Sequence, residues 1–167
     1  METIAVYWEP LIKTYGIVQR TDLYLVSLTL TVDQMTACSD DFLSKWCRSG
    51  NLLMVAAVPL GKQGVRLQLV LDSPPMADQL EIQPQPPENN IHCQPKVDAG
   101  VELVYFHGPH YGDRYGIVHA ALSALESDDV PVLGVACSGA SVYLVLPKGK
   151  AEAARNALSN AFVVPRR

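Results

Sequence analysis

The chain has 167 residues, 49% of them hydrophobic and 18% charged, with a net charge of −4. These values suit one ordinary domain or two small ones and exclude a disordered chain. A mildly acidic protein whose terminal basic pair is Arg166 and Arg167 is a poor ligand for nucleic acid, and its longest apolar run, Leu52 to Leu60, is about half of a bilayer crossing.

The first residues, Met1-Glu2-Thr3-Ile4, carry no basic flank of a secretory signal, so the expected location is cytoplasmic. Cys38, Cys47, Cys93 and Cys137 are far apart and form no CxxC, which points to buried free thiols rather than a zinc site. No cofactor is expected.

In chain order, residues 3–8 (Thr-Ile-Ala-Val-Tyr-Trp) read as a strand. The stretch from Tyr7 to Gly16 concentrates three aromatic residues and two charges, as a pocket wall, a dimer contact or a core anchor would. Residues 22–32 form the next strand. Met35, Cys38, Phe42 and Trp46 share one helical face, and Gly50 ends that helix. Strands follow at 52–58 and 65–71, joined by the loop 59–64. Ser73-Pro74-Pro75 opens a short helix that ends near Ile82. After the proline-rich connector 83–90, residues 91–97 alternate as an edge strand, a position that tolerates Pro95. The order is βαββαβ.

The second half repeats it. Residues 101–107 are a strand and 108–116 a glycine-containing loop. Residues 116–126 are an amphipathic helix, with Ile117, Val118, Ala121, Leu122 and Leu125 at helical spacing. Strands at 130–137 and 141–146 flank the turn Ser138-Gly139-Ala140. Ala151, Ala154, Ala157, Leu158, Ala161 and Phe162 mark a last helix. This unit lacks a final strand, and the N-terminal strand is left over. The expected fold is therefore α+β: two ferredoxin-like βαββαβ modules, residues 21–98 and residues 1–10 plus 99–167, interlocked by the N-terminal strand that completes the second module.

The stretch from Val101 to Phe162 resembles the last ACT module of aspartokinases. The matching features are the strand Val101–Phe106, the loop Gly108–Gly116 with a glycine at the helix mouth, and the helix segment Ala120-Ala121-Leu122-Ser123-Ala124-Leu125. The strand ending in Ser138, the strand Val142–Leu146 and the Ala-rich helix closing in Ala161-Phe162 complete the match. In that family the N-terminal strand completes the final module. In the first module, Asp33 and Phe42 match the family, while Met35 stands where proline is usual and Thr36 where glycine is usual. The resemblance implies a tandem ACT regulatory region without a kinase domain, which is not an enzyme. Such a protein binds an amino acid or small carboxylate, forms a homodimer and serves an amino-acid kinase or related biosynthetic enzyme. It also carries Asp33 and Gln34 as candidate ligand residues of the first module.

The loop offers the chemistry for such a ligand. It leads into a helix N-terminus, whose unpaired N–H groups and partial positive charge suit a carboxylate. Gly108, Gly112 and Gly116 allow close backbone approach, Asp113 suits an ammonium group, Arg114 a second carboxylate, and His110, Tyr111 and Tyr115 supply polar and aromatic walls. The same residues also serve a plain chain reversal. A different reading takes His107, His110 and Asp113, with His119, as the ligands of a metal-dependent enzyme. A third takes the protein as an assembly module without a ligand. Cys137-Ser138-Gly139 lies in a hairpin with no neighbouring base, which argues against a nucleophile.

Overall fold

A computed structural model describes residues 11–31, 33–35, 46, 52–80, 95–112 and 114–164. The chain divides into two compact units. One combines the N-terminal residues through Thr21 with Glu102 onward, and the other is Asp22–Val101. The strand expected over residues 3–8 lies outside the described residues, as do residues 91–94 of the edge strand expected over 91–97, whereas Lys96 and Val97 begin a longer strand, Lys96–His107.

The unit Asp22–Val101 is built on three strands. The C-terminal part of β1 (Gly16–Leu30) pairs antiparallel with β3 (Val65–Leu71), from Tyr24↔Leu71 to Leu30↔Val65. β3 pairs antiparallel with β2 (Leu52–Pro59). Apolar side chains gather on one side, where Val26, Leu28, Leu69 and Leu71 pack with Trp46, a helical residue with no exposed surface. Met35 was expected on the same helical face but is 38% exposed. Periodicity identifies a face, not where along the axis burial begins.

Two local devices fix this unit. The β2–β3 turn closes through a 3-10 segment, Gly61–Gln63, and then Gly64 at φ +111. A Cβ at Gly64 would collide with the backbone of Leu30, so only glycine fits. Residues 33–35 open a helix with a reciprocal capping box. The Thr31 N–H donates to Gln34 Oε1 at 2.8 Å, and the Gln34 N–H donates to Thr31 Oγ1 at 3.2 Å. Half of the same device recurs at α1 (Ala77–Leu80), where the Met76 N–H donates to Gln79 Oε1 at 2.8 Å.

The other unit contains the end of β4 (Lys96–His107), α2 (Ile117–Ser127), β5 (Gly134–Ser138), β6 (Ser141–Leu146) and α3 (Ala151–Ala161). β4 pairs antiparallel with β6 from Glu102↔Leu146 to His107↔Ser141, and β6 pairs antiparallel with β5. In both units the first strand lies beside the third and the third beside the second. One face of this sheet, with Val104, Phe106, Val142 and Leu144, packs on Ile117, Ala121 and Leu125 of α2 and on Ala154, Ala157 and Leu158 of α3. Phe106 centres the aromatic packing, 5.0 Å from the Phe162 ring and edge-on to Tyr111.

β4 is longer than the sequence suggests. The segment Asp98-Ala99-Gly100, expected as a break, lies inside the strand, where Gly100 takes φ +75 without ending it. Cys137 also corrects an expectation. It is exposed, because β5 is the outer strand of its three and Cys137 lies near its end. Cys38, Cys47 and Cys93 lie outside the described residues.

Residues 12–15 run against the same unit. Lys13 forms a parallel bridge with Val163, flanked by Thr14 N–H to Val163 O at 3.0 Å and Val163 N–H to Ile12 O at 2.8 Å. The Tyr15 N–H donates to His107 O at 2.9 Å. Among the described residues, no helix is long and apolar enough to cross a membrane.

Candidate functional site

A cleft of about 380 Å³ opens where the loop after β4 enters α2. One wall is Tyr111, Arg114, Tyr115 and Gly116 with the first turn of α2. The facing wall is the β5–β6 turn, including Cys137 and Ser141. The volume falls in the range of small-ligand sites. The register accounts for the facing wall: His107 pairs with Ser141 and Ser141 with Ser138, so the hairpin turn comes to lie beside the loop that β4 feeds.

Gly116 is the residue before the helix, at φ +85, and its carbonyl accepts the Ala120 N–H at 2.9 Å. Among the described residues, no side chain caps the first turn of α2. The N–H groups of a helix's first turn are donors suited to a ligand or to water. α3 is arranged differently. The buried Glu102 carboxylate accepts the Ala151 N–H at 2.5 Å and occupies that helix's positive end.

Of the loop residues singled out in the sequence, Tyr111, Arg114, Tyr115 and Gly116 line the cleft. Tyr111 is buried, and desolvation raises its phenol pKa above the ordinary 10.0, with the Thr14 side chain and the Arg114 charge pulling the other way. Arg114 is partly exposed and donates from Nη1 to Leu11 O at 3.1 Å. Tyr115 is 99% exposed at the mouth.

The remaining residues have other places. Gly108 is buried, and a Cβ there would meet the Lys13 carbonyl and the Tyr111 ring, so this glycine serves packing. His110 is exposed, outside the cleft lining, in the left-handed region at φ +60. Gly112 is exposed, and Asp113 lies outside the described residues. Asp33 is exposed and Gln34 is in the capping box of the other unit.

His107, a member of the metal set, ends β4 with its ring 5.4 Å from that of Tyr15. His119 is exposed and lines the cleft. Among the described residues, no group of three or more His, Cys, Asp or Glu side chains is placed to hold a metal ion. Asp113 is not among them.

Sequence reasoning missed Cys137, Gly139, Ala140 and Ser141 as cleft residues. Their signal was the element order: a first strand beside the third brings the intervening hairpin turn to the first loop. Partial burial raises the Cys137 thiol pKa from its ordinary 9.0. A second hollow, about 520 Å³, lies at the other end of α2 and presents Glu126 and Asp129, which repel an anion.

The fold is that of aspartate kinase regulatory regions. The regulatory subunit of aspartate kinase from Thermus flavus aligns with a TM-score of 0.71 at 17% identity, covering 89% of this chain and 98% of that one. Two aspartate kinases align over about a third of their length. That of Synechocystis gives a TM-score of 0.72 at 19% identity, and this chain spans 29% of its length. E. coli aspartokinase III in complex with lysine and aspartate, in its T-state, gives 0.54 at 20% identity over 35% of its length. No protein-family model matches the chain, and a search of curated protein sequences finds no match.

Proposed function

We propose that this protein is a non-catalytic regulator of the ACT type that binds an amino acid or small carboxylate in the cleft at the start of α2 and regulates an amino-acid biosynthetic enzyme, an aspartate kinase or a related enzyme. The observation that carries the reading is the conjunction at the cleft. A helix N-terminus that no side chain among the described residues caps and the Arg114 guanidinium line the same 380 Å³ space. The ligand's α-carboxylate faces the first turn of α2, and Ser141 and His119 supply further polar contacts.

The strand order supports a ferredoxin-like pairing in each unit, and the fold neighbours are regulatory subunits or regulatory portions of aspartate kinases. One of those kinases was crystallised with lysine and aspartate, the ligand class proposed here. The cleft at α2 is the ligand site, and the Asp22–Val101 unit serves assembly. In that unit Gln34 already gives its amide oxygen to Thr31. The protein acts as a homodimer, which covers outer strands such as β5.

A thermal-shift screen with the twenty amino acids and common divalent metals tests the reading. A ligand at a hundred times its dissociation constant adds about 2.7 kcal/mol of stability. Stabilisation by an amino acid supports the sensor. Stabilisation by a metal alone moves the reading to the enzyme, and no response from any compound moves it to the ligand-free assembly module.

A further inference from the structure

We infer that the segment Leu11–Tyr15 is part of the ligand site: it holds the Arg114 guanidinium ready for the second carboxylate of a dicarboxylic amino acid, so that ligand binding and docking of this segment reinforce each other. The inference rests on the cleft being the ligand site, and adds to it the class of ligand and the element that senses occupancy.

The loop that walls the cleft rests on this segment at three points. Gly108 has no room for a side chain because the Lys13 carbonyl lies against it. The Tyr111 phenol sits beside Thr14. Arg114 donates from Nη1 to the Leu11 carbonyl at 3.1 Å. The segment is itself fastened to the sheet end and to the residue after α3, through Tyr15 N–H to His107 O, Thr14 Oγ1 to His107 O at 2.7 Å, and the paired bonds with Val163.

Arg114 is thus a junction. A guanidinium presents five N–H donors in a rigid plane. One donor on Leu11 fixes that plane and leaves others for a carboxylate, which binds a guanidinium best through two parallel bonds. A side chain already held loses less freedom when the ligand arrives. By the same linkage, a carboxylate that immobilises Arg114 tightens the hold on Leu11. A dicarboxylic amino acid suits the two anion-seeking ends of the cleft, the helix N-terminus and Arg114, with one carboxylate each.

The test is amide hydrogen exchange on the full chain, with and without millimolar L-aspartate, alongside calorimetry. Exchange at Thr14, Tyr15 and Val163 is expected to slow by about fivefold or more on binding. In Arg114→Lys, which keeps the charge but not the planar fork, the slowing at these three amides is expected to disappear while L-aspartate still binds weakly. Thr14→Val, which removes the hydroxyl bond to His107 and the hydroxyl beside the Tyr111 phenol while not itself lining the cleft, is expected to weaken L-aspartate binding by about fivefold or more with the fold retained. Binding of L-aspartate with unchanged or faster exchange at the three amides overturns the coupling and leaves the cleft as a ligand site. The same holds for unchanged affinity in a folded Thr14→Val protein. If L-aspartate does not bind, the inference fails, and the other amino acids still decide whether the cleft binds a ligand.

Discussion

The Glu102 carboxylate, buried on β4, accepts the backbone N–H of Ala151 at the first turn of α3. A strand residue thus caps a helix that begins 49 positions later, and does so with a negative charge at the helix's positive end. Glu102→Ala leaves that N–H without its partner inside the protein. It is expected to lower stability by about 1–3 kcal/mol in urea unfolding, whereas Glu102→Gln, which keeps an acceptor, costs less. A loss no greater for alanine than for glutamine contradicts the cap.

Tyr111 makes alkaline stability depend on one phenol. Its folded-state pKa lies above the ordinary 10.0 because burial disfavours the charged form. The folded protein keeps the proton at a pH where the unfolded chain has begun to lose it. The contribution is therefore complete below about pH 10 and declines as pH rises toward the folded-state value. Tyr111→Phe is expected to flatten that decline in denaturation curves between pH 9 and 11. An equally steep decline in the variant shows that other groups cause it.

Gly116 and Gly108 fail under substitution for opposite reasons. Among the described residues other than its two chain neighbours, none has an atom within 4 Å of a Cβ placed at Gly116, so crowding by them is not the difficulty. The difficulty is φ +85, which costs a branched residue about 1–2 kcal/mol. Gly116→Asn is expected to be tolerated and Gly116→Val to be destabilised by about that amount. Gly108→Ala is expected to be worse than Gly116→Ala, because the Lys13 carbonyl and the Tyr111 ring must move. Thermal midpoints in the reverse order refute this.

Cys137 reports on the cleft directly. It is exposed and lines the wall opposite α2. Its raised pKa keeps the thiol protonated, so its alkylation at pH 8 is expected to be slower than that of a free cysteine. A bound amino acid is expected to slow it further, as read by peptide mass mapping that separates Cys137 from Cys38, Cys47 and Cys93. Labelling unaffected by saturating ligand places that ligand elsewhere.

Much of this architecture is visible in the sequence where periodicity and breakers agree. Ile117, Ala121 and Leu125 line the buried face of α2, and the turn at Gly139 closes the β5–β6 hairpin. The start of β1 at Gly16 and the passage of β4 through Gly100 are not, since polar residues and a glycine read locally as a loop. The site is legible by half. The loop before α2 advertises itself through glycines beside charges, whereas Ser141 and Cys137 join it only through strand pairing. Arg114 is apparent as a charge, but its bond to Leu11 spans 103 positions and leaves no local pattern.

The central claim is that the cleft at α2 binds an amino acid through its carboxylates. Calorimetric titration of the wild type and Arg114→Ala with the twenty amino acids tests it most directly. The account predicts binding of at least one amino acid at millimolar concentration or below, and for a diacid a loss of about 1.5–3 kcal/mol in the variant. Absence of binding by every amino acid, or a diacid affinity that Arg114→Ala leaves unchanged, contradicts it.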